Sequence, residues 1–164
     1  MKLFPEIEKV YGHERLSARQ AQREAQMIAF GPIVFQVSRI MLRWGIFDML
    51  RNSENGLTRQ EMVEMTGKTD YAIKILLEAS LSIGTVMIDT QTDRYSLTKT
   101  GWFLLNDKFD GINIDFNHDV NYIGMFDLET ALDEGRPAGL KHFGDWPTIY
   151  EGLSSLPPQV QKSW

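Results

Sequence analysis

The 164-residue sequence contains no cysteine and only three histidines. The absence of cysteine excludes disulfide frameworks, thiolate nucleophiles and zinc sites with cysteine ligands. No uninterrupted apolar run reaches the roughly 18 residues that a membrane-spanning helix needs. The first ten residues, MKLFPEIEKV, lack the apolar core of a signal peptide. We therefore expect a cytoplasmic protein that is neither exported nor inserted in a membrane.

The sequence patterns of common catalytic centres are also missing. No glycine-rich phosphate-binding loop follows a predicted strand, and no nucleophile elbow is present. Asp115, His118 and Asp119 share one face of a predicted helix. His142 and Asp145 would complete a metal site only if distant segments met, which nothing in the sequence specifies. We interpret these residues as a solvated acidic face, and predict no metal ligand, catalytic residue or cofactor-binding residue in this chain.

The most apolar part of the sequence is the stretch 31–51, GPIVFQVSRIMLRWGIFDMLR. Apolar residues at helical spacing form two rows, so we predict one long helix that is buried on more than one side. One covering layer would be a second copy of the protein, and the alternative is an ordinary core helix of a monomer. The predicted dimer-interface residues are Phe35, Ile40, Leu42, Trp44, Ile46 and Phe47.

The segments around this stretch predict a winged helix. A polar helix over 13–30 precedes it as an arm, and Thr58 with Glu61 forms a capping-box pattern that starts a short helix ending at Gly67. A third helix follows Thr69, ends near Gly84, and leads into a β-hairpin over 85–97. The buried face predicted for the third helix comprises Tyr71, Ile75, Leu76, Ala79 and Ile83.

The remaining third of the chain is predicted to be helical and acidic. A short helix over 102–106, a loop over 107–113 and a long helix over 115–134 that ends at Gly135 come first, and Pro157-Pro158 begins a last helix. From residue 102 to the end there are four Lys or Arg and ten Asp or Glu. We divide the chain into an arm (1–30), a winged-helix domain (31–106) and a helical connector (107–164), a mainly α fold with one small hairpin.

A winged helix also suggests a DNA-binding transcription regulator, which we keep as the alternative function. The third helix offers one cation, Lys74, and residues 57–101 carry five basic and six acidic side chains. Because phosphate contacts dominate affinity for DNA, this near-neutral domain is expected to bind it weakly, and we predict no nucleic acid partner.

Four segments, 34–50, 57–97, 128–137 and 146–156, together resemble the N-terminal region of S-adenosylmethionine (SAM)-dependent O-methyltransferases of the small-molecule type. The last two carry LETALDEGRP and WPTIYEGLSSL. The resemblance implies an intertwined homodimer, followed in the full-length enzyme by a Rossmann-like domain that holds the SAM motif and the catalytic base. SAM would be bound by the full-length enzyme and not by this stretch.

The resemblance also implies a role for this chain in acceptor binding. Tyr122, Met125 and Phe126 match the helix that walls the acceptor pocket in that family, and the acceptor would be a small aromatic or polyketide-like molecule. Methyl transfer would proceed by in-line displacement, largely through positioning of the reactants. A stand-alone ligand-binding dimer is a third possibility, and the coding region beyond Trp164 distinguishes it from a methyltransferase.

Overall fold

The structure is a computed structural model that describes Lys9 and residues 12–164. The first part of the predicted arm, and with it the prediction that no signal peptide is present, lies outside the described residues. The helices are α1 (Ala18–Ala29), α2 (Gly31–Arg43), α3 (Ile46–Arg51), α4 (Arg59–Thr66), α5 (Asp70–Ile83), α6 (Lys99–Asn106), α7 (Lys108–Phe116), α8 (Tyr122–Gly124), α9 (Leu128–Glu134), α10 (Ile149–Gly152) and α11 (Pro158–Ser163), and the strands are β1 (Val86–Asp89) and β2 (Arg94–Leu97).

Local signals in the sequence set the ends of α4 and α5. Glu61 N–H donates to Thr58 Oγ1 at 3.2 Å and Thr58 N–H donates to Glu61 Oε2 at 2.7 Å, which confirms the predicted capping box. The two helices end at Gly67 and Gly84, whose φ angles of 65° and 89° favour glycine. These caps set the helix ends locally, and Arg94 of the wing adds a long-range contact by donating to Glu61 Oε1 at 3.0 Å.

The wing is the predicted hairpin with one added bridge. Strands β1 and β2 pair antiparallel, with Val86 opposite Leu97. Leu57 N–H donates to Tyr95 O at 3.0 Å and Tyr95 N–H donates to Leu57 O at 2.8 Å, so Leu57, two residues before α4, extends the small sheet. The mainly α winged-helix fold predicted from the sequence is confirmed.

The core of the winged helix is a single apolar cluster. Its completely buried apolar side chains are Met41, Ile46, Phe47, Met62, Ile73 and Leu77. The face predicted for α5 is confirmed for Leu76, which is buried, and for Ala79 and Ile83, which are partly buried against the core. It was wrong for Tyr71, which is 73% exposed, and for Ile75, which is 42% exposed. Since α5 is apolar on nearly every side, spacing alone does not select the buried row.

The predicted helix over 31–51 is two helices. Gly45 has φ 70°, in the left-handed region, and separates α2 from α3. Helix α1 meets α2 at a bend of 72°. Within the described residues, no single helix has the length and apolar character to cross a membrane, and the bent pair α1 and α2 meets that test only when the two are taken together.

The C-terminal part is helical where a loop was predicted. Asp107 accepts a hydrogen bond from Phe109 N–H at 2.8 Å and caps α7, so the segment 107–113 is not a loop. The predicted long helix is irregular: a π-turn (Asn117–Asn121) and a 3-10 turn (Met125–Asp127) interrupt it. The predicted end of a helix at Gly135 and the predicted start of the last helix at Pro157-Pro158 are confirmed.

Candidate functional site

A cavity of about 430 Å³ lies between the start of α2 and the irregular helical segment. Its volume falls in the range typical of small-molecule sites. The lining is mostly apolar and aromatic, with two side-chain amides, and comprises Gly31, Pro32, Phe35, Asn117, Asn121, Tyr122, Met125 and Phe126. The three residues predicted as an acceptor wall, Tyr122, Met125 and Phe126, therefore line one cavity.

The π-turn explains why these side chains share a side of the segment. A π-turn widens the helix, and such turns occur frequently at functional sites. It places Asn117 and Asn121 beside Tyr122 on the cavity, and the 3-10 turn that follows brings Met125 and Phe126 to the same side. Phe126 is 86% exposed and Met125 is 54% exposed, so the two form the rim of the cavity.

Aromatic stacking fixes the inner wall. The rings of Phe35 and Tyr122 are stacked, with centroids 5.4 Å apart and planes 18° apart. Tyr122 Oη–H donates to Pro32 O at 3.2 Å, across 90 residues of sequence. The Tyr122 ring also stacks on His118, with centroids 6.3 Å apart. Two rings and the hydrogen bond of its hydroxyl thus hold Tyr122 in place.

Two glycines let the irregular segment pack against the next turn. A Cβ added to Gly139 would overlap the carbonyl oxygen and Cα of Gly124. This close approach of two backbones presses the 3-10 turn Ala138–His142 onto α8. A second, smaller cavity of about 260 Å³ lies beside this contact and shares Asn121 and Met125 with the first.

Asp119 departs from the predicted solvated acidic face. Its side chain is only 8% exposed. Burial would raise the pKa of Asp119, but hydrogen bonds from Ser163, Gln159 and His118 outweigh burial and lower it to about 2. The carboxylate is therefore ionised at neutral pH and held inside the fold, which the helical pattern alone did not indicate.

His142, the candidate ligand from the later segment, pairs with Asp127 rather than with Asp119. His142 Nε2 lies 2.8 Å from Asp127 Oδ2, and Lys141 Nζ donates to Asp127 Oδ1 at 2.6 Å. The hydrogen bonds from Lys141 and then His142 lower the pKa of Asp127. Among the described residues, no three carboxylate or imidazole side chains converge on a metal position.

The predicted interface residues lie in three settings. Ile46 and Phe47 are completely buried in the core of the single chain, so they have no surface left for a partner. Ile40, Leu42 and Trp44 are partly buried against that core. Phe35 lies on the cavity. The prediction missed that α3 and the C-terminal end of α2 fill the centre of the winged helix. An apolar row that faces the core and one that faces a partner have the same spacing in the sequence.

The face of α5 that a DNA-binding protein would place in the major groove offers little for DNA. Lys74, its cation, pairs with Glu78 at 3.8 Å, and Asp70 pairs with Arg59 at 2.8 Å. Tyr71 and Ile75 are exposed between them. This surface lacks the free cations that phosphate contacts require.

The Asn residues of the cavity and the π-turn were not predicted from the sequence. Asn117 and Asn121 recur four residues apart, a spacing that places polar groups on one side of a helix. Together with the apolar residues that follow, this pair could have predicted two polar side chains in a mostly apolar cavity lining. The π-turn itself left no comparable trace.

Comparisons with known proteins place this fold. Residues 22–95 match the family model of the Dimerisation2-like domain. No curated protein matches the sequence. Among solved structures, the chain is similar to the SAM-dependent methyltransferase SibL in its apo form, with 19% identity and a TM-score of 0.71 over 84% of this chain and 42% of SibL.

Two further structures share the fold. The pyocyanin biosynthetic protein PhzM is 18% identical with a TM-score of 0.67, over 87% of this chain and 42% of PhzM. The N,N-8-amino-8-demethyl-D-riboflavin dimethyltransferase RosA from Streptomyces davawensis is 21% identical with a TM-score of 0.65, over 90% of this chain and 42% of RosA. The chain thus spans less than half the length of these proteins.

Proposed function

We propose, because residues 22–95 match the Dimerisation2-like family model, that this chain is the dimerisation and acceptor-wall portion of a SAM-dependent methyltransferase. The observation that carries the proposal is the cavity of about 430 Å³ lined by the residues predicted as an acceptor wall. The division at residues 30 and 106 and the cytoplasmic location predicted from the sequence are kept as parts of it.

The acceptor we propose is flat and aromatic. Phe35, Tyr122 and Phe126 offer rings to stack on, and Met125 adapts its shape to an apolar ligand. Asn117 and Asn121 supply amides that can orient a hydroxyl or carbonyl of the ligand. RosA, which shares the fold, is by its name a methyltransferase that acts on a flavin.

Riboflavin is a practical probe of this wall, because stacking on aromatic side chains quenches its fluorescence. We expect the chain to quench riboflavin saturably, and Phe126→Ala to weaken binding about threefold or more through loss of a stacking ring. Leu132→Ala is the matched control, since Leu132 is 75% exposed on α9 and outside the cavity lining. Equal affinities of the two variants would count against the wall.

The chain supplies no SAM site of its own in this proposal. The sheet in the described residues has two antiparallel strands, and β2 leads into α6 through Thr98 rather than through a glycine-rich turn. SAM contacts and the base that accepts the acceptor's proton would therefore lie outside the residues described. We assign neither to this chain.

The product of the full coding region tests the methyltransferase proposal. We expect it to bind SAM in a calorimetric titration and to pass the labelled methyl group of SAM to a small aromatic acceptor. If the full product binds riboflavin but not SAM, the stand-alone ligand-binding dimer becomes the better account. Tight, strongly salt-dependent binding to duplex DNA would instead revive the transcription regulator.

A homodimer is the second half of the proposal, and an apolar patch on α6 and α7 supports it. Its four large side chains, all about half exposed or more, are Trp102, Phe103, Phe109 and Ile112. Apolar patches of this kind mark association surfaces. We place the dimer contact there, with Phe35, Ile40, Leu42 and Trp44 kept as interface predictions.

Light scattering with two matched variants tests this contact. We expect a dimer at micromolar concentration, and a monomer for Phe109→Glu, because a charge would be buried at the interface. Tyr71→Glu is the control, since Tyr71 on α5 is 73% exposed and Phe109 is 77% exposed. A monomeric parent chain, or the same outcome for both variants, would contradict this placement.

A further inference from the structure

The buried carboxylate of Asp119 ties the last helix to the π-turn. Its Oδ2 accepts hydrogen bonds from Ser163 Oγ at 2.6 Å and from Gln159 Nε2 at 2.8 Å. Both donors are on α11, more than 39 residues further along the chain. The π-turn that carries Asn117 and Asn121 is therefore fastened to the last described helix at one atom.

The second oxygen of this carboxylate holds a histidine. His118 Nδ1 lies 2.7 Å from Asp119 Oδ1, and the Arg39 guanidinium of α2 lies 3.7 Å from the same oxygen. Because an ionised carboxylate only accepts hydrogen bonds, Nδ1 of His118 must carry the proton. Asp119 thus fixes both the tautomer and the orientation of the imidazole.

His118 in turn contacts the cavity wall. Its ring stacks on Tyr122 at 6.3 Å, with 23° between the planes, and Tyr122 stacks on Phe35 inside the cavity. Turning the imidazole would remove the support on one face of Tyr122. A continuous series of contacts therefore runs from α11 through Asp119, His118 and Tyr122 to the cavity.

We propose that Asp119 is a positioning residue that couples α11 to the cavity by holding His118 against Tyr122. This inference rests on the proposed function, since it concerns the same cavity. A buried carboxylate is costly compared with a well-packed apolar side chain, and the three hydrogen-bond donors that offset this cost hold the Asp119 side chain in one orientation. The position of α11 then sets the orientation of the Tyr122 ring and, through it, the acceptor affinity.

Two variants and one control test the coupling. Asp119→Asn removes the charge that orients His118, and Ser163→Ala cuts one tie to α11 while leaving His118 paired. Asp115→Asn is the control, because Asp115 is exposed, lies one turn earlier and loses the same charge. Two readouts are taken: the NMR resonances of the Tyr122 ring without ligand, and riboflavin affinity by fluorescence quenching.

We expect Asp119→Asn to shift the Tyr122 resonances and weaken riboflavin binding about three- to tenfold, with a smaller change in the same direction for Ser163→Ala. Asp115→Asn should leave both unchanged. Unchanged Tyr122 resonances in both test variants, or equal shifts in the control, would overturn the coupling. If Asp119→Asn does not fold, Ser163→Ala decides alone.

The ligand-free readout separates this inference from the proposed function. If the parent chain fails to bind riboflavin, the acceptor wall fails, but the Tyr122 resonances still decide whether Asp119 positions that ring. If the parent chain binds riboflavin and all variants bind it with equal affinity, the proposed acceptor wall is supported and the proposed coupling of α11 to the cavity is wrong.

Discussion

The winged helix and the irregular helical segment after it bury their apolar side chains to very different degrees. Between residues 31 and 106, six large apolar side chains are completely buried. Between residues 108 and 134, Val120 is the buried apolar residue of the described chain, while Phe109, Phe126 and Leu132 are 75% exposed or more. The first region contains a core of completely buried side chains, and the second leaves most of its large apolar side chains uncovered in the single chain.

The two regions also differ in backbone regularity. The winged helix is built from regular helices, two of which end at Gly67 and Gly84, whereas the following segment passes from α-helix to π-turn to 3-10 turn within about 20 residues. A closely packed core tolerates little change in volume. A cavity wall with exposed side chains can adapt to its contents, and this contrast agrees with the proposed roles of scaffold and acceptor wall.

The largest test of this contrast is a pair of phenylalanine truncations. Phe47→Ala should lower the free energy of unfolding by about 3–5 kcal/mol, because it leaves a cavity in the core. Phe126→Ala should change it by less than about 0.5 kcal/mol, since this ring is mostly in solvent. Chemical denaturation of both variants measures the difference. Similar losses would mean that the two regions share one core.

A pair of glycine substitutions tests the packing of the irregular segment. Gly139→Ala should destabilise the protein by roughly 1–3 kcal/mol, because its Cβ would overlap Gly124. Gly111→Ala on α7 meets no atom within 4 Å and should stabilise by about 0.4–1 kcal/mol. Thermal melts give the order of the three proteins. An unchanged melting temperature for Gly139→Ala would show that the contact with α8 adjusts to the added methyl group at little cost.

Acid unfolding tests the Asp119 cluster. Because its pKa is lowered from 3.8 to about 2 in the folded protein, Asp119 stabilises the fold above pH 4 and this contribution is lost as the pH falls toward 2. The loss corresponds to about 2 kcal/mol. Asp119→Asn should flatten this part of the pH profile, whereas Asp115→Asn should not. Other carboxylates also become protonated in this pH range, so the quantity to compare is the difference in stability between each variant and the parent chain.

The smallest expected effects on stability come from removing helix caps, one in the winged helix and one in the arm. Thr58→Ala removes the cap of α4 and should cost about 1 kcal/mol of global stability. Ser17→Ala removes the same kind of cap from α1, all of whose residues are described and none of which is buried. Its effect should be local fraying, seen as faster amide exchange near Gln20 without a change in the unfolding midpoint. Equal global losses would mean that α1 is part of the core.

Local sequence signals predicted much of the winged helix. The Thr58 and Glu61 capping box, the stops at Gly67, Gly84 and Gly135, and the hairpin depend on atoms only a few residues apart. The break at Gly45 had the same kind of signal, and the apolar spacing around it concealed the break. Asp107 likewise caps a helix in a segment predicted as a loop, where Gly111 and the asparagines weakened the helical pattern.

Contacts between residues far apart in the chain could be predicted from the sequence only in part. Tyr122, Met125 and Phe126 were identified through resemblance to a family, and the structure shows that they line one cavity. The partners of that wall, Pro32 and Phe35, precede it by more than 80 residues. Nothing in their spacing along the chain indicates this contact.

The sequence by itself determined where helices start and stop, because caps and left-handed glycines act within a turn of the backbone. Only the tertiary structure decided which apolar row of α5 is buried, that Asp119 is inside the fold, and that Phe35 stacks on Tyr122. Burial depends on which segments meet, and the spacing of a helix with apolar residues on several sides does not say which of those sides its neighbours will cover.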